Sequence, residues 1–161
     1  MSLGNVADLW LIPAVPLAAA LGVLSLSNKR RGLGAGMAIV GQVVALLLSL
    51  AAFWTTLGAP GYRAFANFTW FTFGAQMLQL GLVLDPLTGV MLVMITFVSL
   101  WIFVFSVGYM AADKNFTRFF AYLSFFSAAM LGVVIANSLL LLFLCWELVG
   151  LASYLLIGFW I

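Results

Sequence analysis

The chain contains no histidine, a single cysteine and only ten charged side chains, six basic and four acidic, in 161 residues. Each scarcity excludes something. Without histidine, and with Cys145 standing alone, there is no ligand set for zinc or an iron–sulfur cluster and no intrachain disulfide, so redox chemistry within the chain is not expected. A net charge of +2 from a few scattered bases makes no nucleic-acid footprint. Only 6% of the residues are charged, against about a quarter in an ordinary soluble domain, which leaves too little polar surface for a water-soluble fold. No nucleotide-binding fingerprint is present. Nor is there the alternation over segments of about ten residues that marks a lipid-facing barrel.

What is present is apolar length. Hydrophobic residues make up 66% of the chain and the mean hydropathy is +1.27. Five runs stand out: Leu9 to Ser27, Leu33 to Leu57, Leu87 to Met110, Phe119 to Ala136, and Ser138 to Ile161. Each approaches or exceeds the roughly 20 residues that cross a hydrocarbon core as a helix, and in lipid only helices and closed barrels pair every backbone group. The expected fold class is all-α: a polytopic integral membrane protein with about five transmembrane helices and a short extracytoplasmic β-hairpin between the second and third. Three regions follow. Residues 1–58 hold two helices, 59–84 the loop with its hairpin, and 85–161 the third helix with a fourth and fifth.

Local punctuation supports this division. Pro13 and Pro16 lie near the start of the first span, where a missing N–H costs least. The bases Lys29, Arg30 and Arg31 follow the first span instead of preceding it, unlike a cleavable signal, so that span is expected in the mature protein. In the long connection, Asn67 to Phe73 is aromatic and β-branched, Gly74-Ala75-Gln76 follows, and Leu78, Leu80 and Leu82 then alternate, which reads as a hairpin at the membrane surface. Asp85 followed by Pro86 suits the N-cap and first turn of the third helix, a capping role rather than a proton-carrying one. With five spans, Lys29, Arg30, Arg31, Lys114 and Arg118 share one side and Arg63 the other. The positive-inside rule makes the first side cytoplasmic, with the N-terminus outside and the C-terminal end inside. The last span closes without a basic flank, so the chain is expected to be the N-terminal piece of something longer.

One carboxylate breaks the pattern. Glu147 lies ten residues beyond Asn137 in the last run, about 15 Å along a helix and near the bilayer midplane. An acid at that depth costs roughly 3 kcal/mol on insertion scales, so a functional role is the first hypothesis. It could take and release a proton if a movable cation approached it, but no intramembrane lysine or arginine is available in the chain. Gly150, Leu151 and Tyr154 follow on its face, the last offering a hydroxyl. Further candidates for a proton path are Ser124, Ser127 and, at the cytoplasmic mouth of the fourth span, Arg118, which also suits a snorkelling anchor. Thr88, Thr96, Ser99 and Ser106 more commonly bond back to a preceding turn. A glutamate that merely ties helices together is the competing reading, although a glutamine would do that without an ionisable group.

The stretches Leu84-Asp85-Pro86-Leu87-Thr88, Gly108-Tyr109-Met110, Phe116 to Tyr122, Trp146-Glu147-Leu148-Val149-Gly150 and Ser153 to Trp160 resemble the N-terminal third of the antiporter-like subunit of respiratory complex I, of the NuoL/NdhF type. The likeness runs from about Asn67 to the end, while the first two spans match in character only. The resemblance implies a proton-translocating subunit of an NADH:quinone oxidoreductase, itself without a redox site or cofactor, embedded in the lipid bilayer beside other membrane-arm subunits. By position Glu147 corresponds to the family's glutamate on the fifth helix, whose lysine partner would come from helices in the rest of the polypeptide or in a partner chain. The implied location is a bacterial inner membrane or an organelle membrane. Alternatives are a subunit of an Mrp-type cation/proton antiporter or carbon-uptake complex, which share the module, and a truncated structural membrane partner.

Overall fold

In the computed structural model, which describes residues 6–26, 30–58, 61–74 and 76–160, the five apolar runs are five helices. A 3-10 turn, Val6–Trp10, leads into α1, Leu11–Ser25; α2 is Arg31–Leu57, α3 Pro86–Tyr109, α4 Phe116–Ile135 and α5 Leu139–Ile157, closed by a 3-10 turn at Gly158–Trp160. All five spans are long and apolar enough to cross a membrane. Ser27, Lys29, Ala75 and Ile161, to which the reading above assigned roles in spans, turn or charge, lie outside the described residues. Boundaries differ from the expected ones by three residues at most among the described positions. The largest difference is at α4, which begins at Phe116 and so takes Arg118 into its first turn.

The hairpin is present and longer than the alternating stretch suggested. Strands β1, Ala64–Phe73, and β2, Gln76–Leu84, pair antiparallel from Ala64 opposite Leu84 to Phe73 opposite Gln76, with a bulge between Thr69 and Phe71. Gly74 supplies the positive φ of +60° that the tight turn demands and that a side chain would resist. At the far end of β2, the carboxylate of Asp85 accepts a 2.7 Å hydrogen bond from the Thr88 backbone N–H, and Pro86 takes the first helical position. That bond, with Arg63 Nε 3.9 Å from the carboxylate, holds Asp85 below the usual carboxylate range. The expected cap is therefore the observed one.

Helix packing alternates between two ends of the bundle. At the hairpin end, Val6, Leu9 and Ile12 pack with Ala45, Ala52, Leu82, Leu84, Leu92, Leu131 and Ile135. At the basic end, Val23, Ala35 and Ala38 pack with Phe103, Met110, Phe116, Phe120 and Ala121. Close approach depends on missing side chains: a Cβ at Gly41 would fall 2.9 Å from Ala19, and one at Gly132 would fall 2.8 Å from Cys145 Sγ. In lipid there is little hydrophobic gain from joining helices, so such close van der Waals contact is a main source of cohesion.

Candidate functional site

Between the two apolar clusters lies a polar layer. Gln42 on α2 is fully buried; its Nε2 donates to the Thr96 carbonyl of α3 at 3.3 Å, and its Oε1 accepts from Ser127 Oγ of α4 at 3.0 Å. Each residue sits along its own helix between members of the two clusters, so three helices are joined at mid-depth by one amide. An amide held this way satisfies polar groups that hydrocarbon would not. Ser124 and Thr117 lie on the same α4 flank, fully or nearly buried, and among the described residues their hydroxyls have no hydrogen-bond partner. Thr96 and Ser106 bond back to the carbonyls four residues earlier.

Glu147 is elsewhere. The face of α5 turned toward α4 carries Cys145, Leu148 and Ala152; Cys145 meets Gly132, and Ala152 is the one fully buried α5 residue. Glu147 is exposed beside Trp146, on the side of the helix that the other four leave open. Ser127 thus belongs to the α2–α3–α4 packing, Ser124 is buried on the same α4 flank, and the structure brings neither to Glu147.

It does bring together two other expected residues. Arg118 and Tyr154 line one groove of about 630 Å³ at the basic end, with Asn115, Tyr122, Leu155 and Trp160. Arg118 Nε donates to Tyr122 Oη at 2.6 Å and its guanidinium lies 5.5 Å from the centre of that ring. Tyr154, itself exposed, is two turns from Glu147 on the same flank of α5, about 10 Å along the axis. Trp160 closes the groove by donating its indole N–H to Asp113 Oδ2 at 2.8 Å. That bond, then the Asn115 backbone N–H, keeps Asp113 below the usual carboxylate range.

Sequence reading gave no role to Gln42 or Asp113, and took Thr117, Tyr122, Ser138 and Trp160 only as motif or span residues, without the partners the structure gives Tyr122, Ser138 and Trp160. Gln42 did leave a signal, as the one amide in a 27-residue apolar helix; the others show their roles only through partners distant in the chain. Among the described residues no cluster of histidine, cysteine or carboxylates could hold a metal.

The class so defined is a polytopic helical membrane protein, with a polar layer inside the bundle and a carboxylate on the open face of its last helix. Comparison with known proteins narrows it. Residues 70–120 match the family described as NADH-ubiquinone oxidoreductase (complex I), chain 5 N-terminus. The chain is 42% identical to the chloroplastic NAD(P)H-quinone oxidoreductase subunit 5 of Cryptomeria japonica, over 94% of this chain and 21% of that protein. It is 41% identical to chain 5 of the NAD(P)H-quinone oxidoreductase of Synechocystis sp., over 94% of this chain and 23% of that one. A chain of an archaeal respiratory membrane complex, the membrane-bound sulfane sulfur reductase, shares the fold with a TM-score of 0.64 at 19% identity, over 94% of this chain and 22% of its own length. The chain is thus similar to subunit 5 of NAD(P)H-quinone oxidoreductases, and its residues 70–120 to the N-terminus of chain 5 of complex I. It spans about a fifth to a quarter of the relatives' length, less than the third expected from the motifs. The likeness also reaches back through the first two helices, which the motifs alone had left as a match in character.

Proposed function

We propose that the chain is the N-terminal portion of a proton-translocating membrane subunit of an NADH:quinone oxidoreductase, with Glu147 as its protonatable group. The observation that carries this reading is the placement of Glu147. An ionisable side chain sits mid-helix in an apolar span, faces away from its own bundle, and has no cation beside it among the described residues. A carboxylate so placed is costly unless something brings it charge, and a site that can be charged and discharged is what proton transfer needs. The lysine-bearing partner would come from helices in the rest of the polypeptide or in a neighbouring chain, packed on the open side of α5. Other membrane-arm subunits are the expected neighbours. The chain supplies no redox group; electron transfer belongs to other subunits.

The groove of Arg118, Tyr122 and Tyr154 is the proposed route from the basic end toward Glu147, with Tyr154 as the intermediate hydroxyl. Ser127 serves a different purpose on this reading, holding the polar layer inside the bundle through Gln42; Ser124 is buried on the same flank of α4. The charge distribution supports a cytoplasmic basic end, with Arg30, Arg31, Lys114 and Arg118 there and Arg63 beside the hairpin. The membrane is a bacterial inner membrane or, as for the chloroplastic relatives, an organelle membrane.

The test is Glu147→Gln in the complete assembly, reconstituted in sealed vesicles. Quinone reduction is expected to persist in part while proton translocation falls by roughly tenfold or more, the range for loss of a positioned proton-transfer group. Wild-type translocation by that variant overturns the proposal.

A further inference from the structure

The helix that carries Glu147 is the least buried of the five, yet its first turn is tied to the hairpin through one hydroxyl. Ser138 Oγ caps α5 by accepting from the Leu141 N–H at 3.3 Å, and the same oxygen accepts from the Gly81 N–H of β2 at 3.2 Å. A serine hydroxyl has two acceptor lone pairs, so both bonds can form at once. Beside it the Asn137 N–H donates to the Gly81 carbonyl at 2.7 Å, and Ala136 bridges antiparallel to Leu82. The α4–α5 turn is in effect stitched onto the edge of β2. The fit at the crossing is tight: a Cβ at Gly81 would fall 2.7 Å from Asn67 Oδ1 and 3.3 Å from Asn137. Strand β2 does not float, because Leu82 and Leu84 are buried in the cluster that also holds Leu131 and Ile135 of α4.

We infer that the hairpin is a strut that sets the depth and rotation of α5, with Ser138 and Gly81 as positioning residues for Glu147. The inference rests on the role proposed for Glu147. Glu147 lies nine residues from Ser138, about 13 Å along the helix, so a shift of the capped end carries directly to the carboxylate. Because α5 packs chiefly on α4 and touches β2, the stitched turn fixes its hairpin end, while Phe159 and Trp160 fasten the other. A displacement of the hairpin at the membrane surface would therefore reach the acid through the stitched turn.

The test uses the assembled complex in sealed vesicles with Ser138→Ala, Ser138→Thr and Gly81→Ala. Two signals are read per assembled complex: protons moved per electron, and the carboxyl C=O stretching band that disappears in Glu147→Gln. Ser138→Ala removes both accepted bonds, and Gly81→Ala sets a methyl group against Asn67 Oδ1 and Asn137, which must give way; each is expected to displace the band and to lower the proton-to-electron ratio. Ser138→Thr keeps the hydroxyl and should restore both signals. Where the alanine variants do not assemble, Ser138→Asn, which retains a capping oxygen but moves it, is expected to displace the same band. Wild-type band and ratio in the assembled variants would overturn the strut. Should Glu147→Gln itself pump normally, the role of Glu147 fails, while the band position still decides whether hairpin and helix are coupled.

Discussion

Helices α4 and α5 are neighbours in sequence, similar in length and packed on each other, yet one is the centre of the bundle and the other its open edge. Over their most apolar windows α4 is 56% buried and α5 only 11%. The difference is written in side-chain size more than in hydrophobicity. Helix α4 turns Ala121, Ser124, Ser127, Ala128, Ala129 and Gly132 inward and buries them, small residues that let other helices approach. Helix α5 is apolar all round, with leucine, phenylalanine and tryptophan exposed on most of its circumference. Inside a membrane a large apolar side chain gains little by facing protein instead of lipid, so helices meet where small and polar groups allow it, and large ones such as Phe103 and Phe120 are buried beside them.

The sharpest way to break this comparison is to place the same side chain on each helix. Gly132→Val on α4 sets a methyl-bearing carbon where Cys145 Sγ already sits, 2.8 Å away, and should push α5 off the bundle. Overpacking of that kind costs typically 1–3 kcal/mol, read as a lower midpoint in thermal unfolding of the purified protein. Gly150→Val on α5 meets nothing of this chain within 4 Å and should leave the midpoint of the isolated 161-residue chain unchanged. Equal effects of the two substitutions would mean that α5 is not the open edge.

A smaller effect is expected in the polar layer. Gln42→Leu removes the acceptor of Ser127 Oγ and the donor to the Thr96 carbonyl, leaving a serine hydroxyl buried without its partner. The expected loss is about 1–2 kcal/mol, in line with interhelical hydrogen bonds in membranes. Adding Ser127→Ala removes the orphaned hydroxyl, so the double variant should recover part of that loss, with a coupling energy of about 0.6 kcal/mol in a double-mutant cycle. Strict additivity would show that Gln42 and Ser127 do not act together.

These two contrasts also explain what could be read before the structure. The five spans were legible because length alone identifies them, and the Asp85–Pro86 start of α3 because capping chemistry is local. Which way a helix faces was much less so. For α5 the usual 3.6-residue alternation is lost among uniformly apolar positions, so nothing in the run around Glu147 says that the acid points away from α4. Ser124 and Ser127 were visible as hydroxyls in an apolar helix, but their separation from Glu147 depends on α2 lying against the opposite flank. Ser138 could be read only as the start of a span. Its second bond comes from Gly81, 57 residues earlier, and no local pattern announces a partner at that distance.

The smallest effect concerns the far end of α5, where the contrast with α4 is sharpened by pH. The open helix is fastened there by two contacts, the edge-to-face packing of Phe159 on Phe119 at 5.6 Å and the Trp160 indole bond to Asp113. That indole bond, followed by the Asn115 backbone N–H, is what holds the Asp113 carboxyl below the usual carboxylate range. A carboxylate whose folded value is depressed contributes its stabilisation in full above the value of the unfolded chain and loses it as pH falls through the folded one. The pair is exposed, so the energy is small, but it acts on a helix end with few other restraints. Acidification below the usual carboxylate range should therefore speed amide hydrogen exchange in the segment from Tyr154 to Trp160 while leaving the middle of α4 protected, once the intrinsic pH dependence of exchange is divided out. Asp113→Asn, which keeps an acceptor without the titrating charge, should flatten that response. If the corrected exchange of the α5 end in the unaltered chain is the same across the acid range, Asp113 does not fasten it, and the end of α5 rests on the aromatic contact alone.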